Sequence, residues 1–146
     1  MPEKKTLQRA KKDAREGKAP TTQAGEFVRE EMEHIREGKH GARSSKQAIA
    51  IGLSKARRAG VKLKPPKAGQ ASERTRKQAA RDTKKGQSKK AAKPSAKRSR
   101  ATTAALKREG HSAASHSALS RQAKSAAAKR KKPAAATKKK AASKSR

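Results

Sequence analysis

Large apolar side chains are so scarce in this sequence that they limit what the chain can fold into. Leu, Ile, Val and Phe together account for 11 of 146 residues, and most of the other hydrophobic residues are Ala. Such a chain cannot bury enough apolar surface to offset the entropy lost on ordering its whole length. The composition therefore predicts a mostly α-helical protein with extensive disorder, and it excludes an enzyme built around a packed pocket.

The charge balance predicts a polyanionic partner. Lys and Arg number 43 against 11 Asp and Glu, which gives a formal net charge of +32. The most abundant cellular polyanions are DNA and RNA. There is no Cys, no stretch that is apolar enough to cross a membrane and no apolar run like that of a signal peptide. We therefore expect a cytoplasmic protein without disulfides, membrane contact or cofactor.

Charge and apolar residues divide the chain into two parts, with Pro65 and Pro66 at the boundary. Residues 1–63 hold nearly all the large apolar side chains, together with 16 basic and 8 acidic residues. Residues 64–146 hold 27 basic and 3 acidic residues in a Lys/Ala/Ser-rich, low-complexity sequence. We predict a short helical module over 1–63 and a disordered basic tail over 64–146.

Three helices are predicted in the module, over residues 3–16, 22–37 and 45–59. Each run ends in a basic turn followed by a glycine, namely Gly17, Gly38 or Gly60. Glycine after a basic turn is typical of a helix C-terminus, because glycine adopts the left-handed conformation without strain. Ser44 and Gln47 form a capping-box pattern at the start of the third helix.

The second and third helices each have an apolar face, and a hairpin over residues 22–60 would cover both. On the second helix Phe27 is expected at the flank of an arc formed by Ala24, Val28, Met32 and Ile35. On the third helix the face comprises Ala48, Ile49, Gly52, Leu53 and Ala56. Because this core is small, self-association of the hairpin or a bound ligand is expected to contribute to its stability.

A stripe of glutamates lies on another side of the second predicted helix, at Glu26, Glu30, Glu33 and Glu37. Two interpretations remain open. The stripe is either a solubilising helix face or a site at which the basic tail docks in competition with nucleic acid.

In the tail, helices are predicted over residues 72–85, 103–109 and 113–132. Their expected stops are Gly86, Gly110 and Pro133. Because the tail carries a large positive charge, we expect these helices to form when phosphate neutralises it.

Basic residues are the candidate nucleic-acid contacts. In the module they are Lys46, Arg57 and Arg58. In the tail they are Lys84, Lys85, Lys89, Lys90, Lys97, Arg98, Arg100, Lys129, Arg130, Lys131, Lys132, Lys138, Lys139 and Lys140. The sequence has one Phe and no Tyr, Trp or Asn, so base stacking and most base-edge contacts are unfavoured. Contact with the phosphate backbone of duplex DNA remains.

The histidines and hydroxyl residues do not predict a metal site or catalysis. His34, His40, His111 and His116 are spaced so that they do not stack on one helix face, and we expect them to be exposed. No Ser or Thr stands in a recognisable arrangement with His and Asp. The sequence therefore predicts no metal site and no enzyme.

Two resemblances add to this interpretation. Residues 25–32 (GEFVREEM) and 39–60 (KHGARSSKQAIAIGLSKARRAG) resemble a family of small basic bacterial proteins of unknown function, over about residues 1–66. Residues 89–146, with AKP at 92–94 and KPAAA at 132–136, are similar to the tails of linker histones and of bacterial histone-like proteins. The second resemblance implies binding and condensation of duplex DNA.

Together these features predict a histone-like, nucleoid-associated protein that binds DNA independently of sequence. Two alternatives remain open. One is a basic protein that associates with RNA or the ribosome, and the other is a regulatory protein-interaction module at 22–60 with a basic localisation tail.

Overall fold

The structure is a computed structural model that describes residues 1–88 and 95–131. Within those residues it is helical, which confirms the predicted α class. The helices are α1 (Lys4–Arg15), α2 (Pro20–Arg36), α3 (Ser45–Arg58), α4 (Glu73–Gln87), α5 (Ala96–Lys107) and α6 (His116–Lys131), with a 3₁₀ turn (Ser112–Ala114) before α6. None of these helices has the length and apolarity needed to span a membrane.

The predicted glycine stops of the first three helices are confirmed. Gly17, Gly38 and Gly60 have φ values of 71°, 74° and 98°. Each glycine N–H donates to the carbonyl three residues earlier, and the next N–H donates to the carbonyl five residues before it. This pairing satisfies carbonyls that the end of a helix leaves open. At the other end, α2 begins earlier than predicted because Pro20 fits its first turn.

α2 and α3 pack against each other as an antiparallel hairpin. Phe27, in the first half of α2, clusters with Ala56 at the end of α3. Ile35, near the end of α2, clusters with Ala48 at the start of α3. The two backbones approach closely at Gly52, where an added Cβ would lie 2.7 Å from the Cα of Val28. α2 and α3 thus form a hairpin in the range predicted for one, residues 22–60.

The position of Phe27 differs from the prediction. Phe27 is fully buried, at 0 % exposure, rather than at the flank of the apolar face. Ala10 of α1 belongs to the same cluster, and Leu7 packs against it. Because α1 covers this side of α2, Phe27 lies between three helices and not at the edge of the apolar face.

Contacts with the tail cross the predicted boundary between residues 63 and 64 in two places. α4 packs on α3 and buries Ala79 and Asp82. At the loop end of the hairpin, Ala113 and Ala114 of the 3₁₀ turn join the core cluster of α2 and α3. The Ser45 Oγ donates to the carbonyl of Ala113 at 2.6 Å. The small core of the module is thus completed by Ala residues from the tail.

The described part of the tail forms helices close to the predicted ones, with different ends. α4 continues through Gly86, so Gly86 is not a stop. α5 begins well before residue 103 and ends before Gly110, which does not have a positive φ. α6 begins after Ser115, whose Oγ accepts from the N–H of Ala118 at 3.2 Å. Pro133 lies outside the described residues.

Candidate nucleic-acid interface

The four glutamates of the predicted stripe pair with cations of the module. The Oε2 of Glu26 lies 3.6 Å from the Nη1 of Arg9, and the Oε1 of Glu33 lies 3.0 Å from the Nε of Arg29. The Oε2 of Glu37 lies 2.9 Å from the Nζ of Lys39. Glu30 is only 3 % exposed, so it is not on a solvent-facing stripe as expected. It lies 3.6 Å from the Nζ of Lys55. In the part of the chain that the structure describes, three of these ion pairs connect α2 with α1, with α3 and with itself, and the pair of Glu37 with Lys39 lies in the turn after α2.

The other acidic residues also have basic partners. They are Glu3, Asp13, Glu16, Glu31, Glu73, Asp82 and Glu109, and each forms an ion pair with Lys, Arg or His. All of the chain's acidic residues lie in the described ranges, and α5 and α6 contain none. The carboxylates are thus held by internal pairs, and the surface of α5 and α6 carries cations without carboxylates.

A cleft of about 550 Å³ lies between the N-terminal ends of α3 and α6. Among the residues that the structure describes, the cations that line it are Arg43, Lys46 and Arg121. Its lining serines in the same ranges are Ser44, Ser45, Ser112, Ser115, Ser117 and Ser125. No Asp or Glu is among the residues that line this cleft. Cations and hydroxyl donors without a carboxylate are the chemistry that a phosphate group requires.

Two helix N-termini add to the positive potential of the cleft. Ser44 caps α3 by accepting from the N–H of Gln47 at 3.3 Å, and Ser115 caps α6 in the same way. Neither helix has an acidic residue in its first turn, so no carboxylate offsets the positive end of its dipole. The free N–H groups at such ends bind phosphate oxygens.

The predicted capping box at α3 forms with one shift in its partner. The Ser44 half is as expected. The Oε1 of Gln47 instead accepts from the N–H of Arg43 at 2.8 Å, one residue before the cap. This bond holds the backbone of Arg43 beside the cleft, while its side chain is 81 % exposed and within 3.6 Å of Glu109.

The three predicted contacts in the module have different environments. Lys46 is exposed and lines the cleft. Arg57 is only 7 % exposed, and it donates to the carbonyls of Leu63 and Lys64 at 3.4 and 3.5 Å. Burial lowers the pKa of Arg57. Its guanidinium holds the chain that follows α3, which differs from the surface position expected of a phosphate contact. The Nε of Arg58 lies 2.7 Å from Asp82.

The predicted tail contacts that the structure describes lie on its helices. Exposed side chains are those of Lys84 and Lys85 on α4, Lys97, Arg98 and Arg100 on α5, and Lys129 and Arg130 on α6. Lys131 is the last residue of α6. The remaining predicted contacts lie outside the described residues: Lys89, Lys90, Lys132, Lys138, Lys139 and Lys140.

Sequence reasoning missed Arg43 and Arg121. Both lie close to capping serines, because Arg43 precedes Ser44 and Arg121 lies in the second turn after Ser115. The capping serines were the signal in the sequence that could have pointed to these two arginines. Arg43 and Arg121 meet in one cleft because of contacts between residues far apart in the sequence, such as the bond from Ser45 to the carbonyl of Ala113.

Two of the four histidines are less exposed than predicted. The side chains of His34 and His40 are 13 % and 15 % exposed. Their rings are perpendicular, with centroids 6.1 Å apart. The helix-face argument fails because His40 lies in the loop after α2, which folds back towards His34. His111 and His116 are exposed, as predicted.

Comparison with known proteins gives a family match for the N-terminal part of the chain. Residues 4–68 match a family described as a family of unknown function (DUF6496). The matched range contains α1 to α3 and the segment with Pro65 and Pro66, and it ends before α4. The resemblance of the N-terminal part to a family of unknown function is thereby confirmed. No curated protein and no solved structure matches the chain.

Proposed function

We propose that the protein binds the phosphate backbone of duplex DNA without reading its sequence and condenses the duplex. The observation that carries this proposal is the cleft between α3 and α6. Arg43, Lys46 and Arg121 line it, two helix N-termini point positive potential into it, and no carboxylate lies in its lining. Such a cleft holds one phosphate group in a fixed position.

Exposed cations of the tail extend the contact along the duplex. Lys97, Arg98 and Arg100 of α5 and Lys129 and Arg130 of α6 lie on helices that contain no acidic residue. Each phosphate that such a cation neutralises releases a condensed counterion. Phosphate also reduces the repulsion between the charges of these helices. A protein of this kind associates with the nucleoid.

The aromatic content favours a duplex over a single strand. Proteins that bind single strands stack bases on exposed aromatic rings. The only Phe, Tyr or Trp in this chain is Phe27, which is fully buried. A duplex presents its phosphates without requiring a stacking surface, so backbone contact is the mode that these residues support.

The apolar surface gives little support to a regulatory interaction module or to self-association of the hairpin. Among the described residues, Met1 is the one large hydrophobic side chain that is exposed. The apolar faces of α2 and α3 are covered by each other, by α1 and by the 3₁₀ turn. A protein partner at 22–60 would therefore have no apolar patch to bury.

The test compares two triple variants of the full chain that remove the same charge. One changes the cleft residues Arg43, Lys46 and Arg121 to Gln, and the other changes Lys97, Arg98 and Arg100 of α5 to Gln. Anisotropy of labelled duplex DNA is measured over a salt series. Both variants should reduce the slope of log affinity against log salt, by up to about 0.9 per cation lost.

The cleft variant should lose more affinity at a fixed salt concentration, because its three cations lie together beside two helix N-termini. Equal losses of affinity in the two variants would show that the cleft binds DNA no better than the exposed cations of α5, and would contradict its role in the proposal. Affinity of the unaltered chain that does not fall with salt would contradict phosphate binding altogether.

Competition between duplex DNA and duplex RNA of equal length tests the remaining alternative. Preferential release of labelled DNA by unlabelled RNA would favour association with RNA or the ribosome. We expect DNA to be the better competitor.

A further inference from the structure

Glu31, His34 and His40 form a cluster at the loop end of the hairpin, and none of them is among the residues that line the cleft. Each side chain contributes one nitrogen or oxygen atom to a set in which all atoms lie within 4.8 Å of one another. The Glu31 side chain is 1 % exposed, and those of His34 and His40 are 13 % and 15 % exposed. Two imidazoles and a carboxylate gathered in a poorly hydrated place are a ligand set for a divalent transition metal.

The backbone of the loop holds His40 in the cluster. The loop reverses direction at Gly38, whose φ is 74°. Beyond His40, the N–H of Gly41 donates to the carbonyl of Leu106 and the N–H of Ala42 donates to the carbonyl of Gly110. His40 is therefore fixed from both sides, while His34 and Glu31 lie on α2.

Both imidazole rings have an oxygen partner of the kind that orients a metal-binding histidine. The Nδ1 of His40 lies 3.1 Å from the carbonyl of Gly41, which can only accept, so Nδ1 carries the proton. The Nε2 of His34 lies 2.8 Å from the Oε1 of Glu3. Histidines that bind a metal generally donate their other ring N–H to a carbonyl or carboxylate.

The second ring nitrogen of His40 faces a carboxylate oxygen of Glu31. With the proton on Nδ1, the lone pair of Nε2 points to the Oε1 of Glu31 at 3.2 Å. Either a second proton or a cation between the two atoms is needed to make this approach favourable. In a tetrahedral site with bonds of about 2.05 Å, two ligand atoms are separated by about 3.3 Å. The observed separation of Nε2 and Oε1 matches that geometry.

The charges around Glu31 favour an additional cation. Glu30 and Glu31 are both buried, at 3 % and 1 % exposure. They share the ammonium of Lys55, which lies 3.6 Å from Glu30 and 2.6 Å from Glu31. The Oε2 of Glu31 has the ammonium of Lys55, whereas its Oε1 receives no hydrogen bond from the described residues. Two buried carboxylates with one ammonium have a net negative charge, which is costly without further compensation.

We propose that Glu31, His34 and His40 bind a divalent transition-metal ion of the Zn²⁺ type. Three protein ligands leave the fourth position for water, as in other sites with two histidines and one glutamate. Glu3 orients His34, and the carbonyl of Gly41 orients His40. The bound ion ties the end of α2 to the loop that contacts Leu106 and Gly110.

The first test is calorimetric titration of Zn²⁺ into the full chain, prepared without a polyhistidine tag. We expect saturable binding of one ion per chain. His40→Gln should lower the affinity by at least about tenfold, in line with the loss of a metal-site residue. His116→Gln is the matched control, because His116 is exposed and lies on α6. The control should bind like the unaltered chain.

Absence of saturable binding in the unaltered chain would overturn the proposal. Equal affinities for His40→Gln and His116→Gln would do so too. The second test uses Co²⁺ absorption, because a tetrahedral nitrogen and oxygen site gives a strong visible band. We expect that band in the unaltered chain and in His116→Gln, and its loss in His34→Gln and His40→Gln at unchanged helical circular dichroism. A band that persists in both variants would contradict these ligands.

Discussion

α4 and α5 come from the same cationic tail, yet they pack differently. Both are short helices rich in Lys, Arg and Ala. α4 buries Ala79 and Asp82 against α3. In the part of the chain that the structure describes, α5 buries no residue, and it joins the module through the backbone bond between Gly41 and Leu106. α4 has a buried carboxylate, Asp82, and a glycine at its close approach to α3, Gly86, and α5 has neither. A cationic helix can pack on a cationic module when it brings a counter-charge.

Asp82 is the centre of the contact between α4 and α3. It accepts from the Oγ of Ser54 at 2.6 Å and from the Nε of Arg58 at 2.7 Å. Burial by itself raises the pKa of Asp82, but the hydrogen bonds from Ser54 and Arg58 outweigh it, so the pKa is lowered. In the described residues the tail thus docks through its own carboxylate on a module cation. One interpretation of the sequence had the charges the other way round, with glutamates of the module binding cations of the tail.

Among the changes that test why α4 packs and α5 does not, Asp82→Ala should lower the stability most. The variant removes three hydrogen bonds from a buried position, donated by Ser54, Arg58 and Gln78, and the one from Arg58 is also an ion pair. Arg58 is half-exposed, so solvent screens part of the loss. We expect the free energy of unfolding to fall by about 2–3 kcal/mol. Urea unfolding measures the loss, and amide exchange should show α4 becoming as accessible as α5.

Glu73→Ala is the matched control for Asp82→Ala, because Glu73 lies on the same helix and its side chain is 72 % exposed. Its effect should stay within about 0.5 kcal/mol. Equal effects of the two substitutions would show that charge on α4, rather than the buried contact, holds it to α3.

A smaller loss is expected from Gly86→Ala. Alanine normally favours a helix over glycine by up to about 1 kcal/mol. Here a methyl group would collide with the carbonyl of Arg57, so we expect a loss of about 1–2 kcal/mol instead. Gly25→Ala is the control, since nothing lies within 4 Å of that added Cβ. Stabilisation in both variants, measured by thermal unfolding, would contradict the close approach of α4.

The smallest effect on the contact between α4 and α3 is expected from lowering the pH. Because the pKa of Asp82 is lowered from 3.8, its contribution is present above that pH and is lost as the pH falls through the lowered value. Amide exchange in α4 should therefore accelerate at pH values below 3.8 more than exchange in α5, which has no acidic residue. Asp82→Asn should remove this difference. A persistent difference in that variant would assign the pH response to another carboxylate.

The ends of the module helices followed from local sequence. Gly17, Gly38 and Gly60 end their helices in the predicted way, and Ser44 caps α3. These signals are local because each end is satisfied by hydrogen bonds among a few neighbouring residues. The same reasoning was wrong at Gly86, where glycine serves a close approach to Arg57 and not a helix stop.

The candidate sites were less predictable. Lys46 was found by its charge, but Arg43 and Arg121 were missed and Arg57 proved to be buried. His34 and His40 were predicted to be exposed because only their spacing along a helix was considered. In each case the environment is set by a contact from another element: the loop at His40, and the chain after α3 at Arg57.

By itself, the sequence determined the helical class, the ends of the module helices and the large surplus of positive charge, because composition and caps act over a few residues. Tertiary structure alone decided which charges remain at the surface. Some carboxylates pair with basic residues that are far away in the sequence, as Asp82 does with Arg58. Such pairs form only after packing brings the two residues together. The same packing gathers Arg43, Lys46 and Arg121 in one cleft, since the energy between charges depends on their distance in space and on burial.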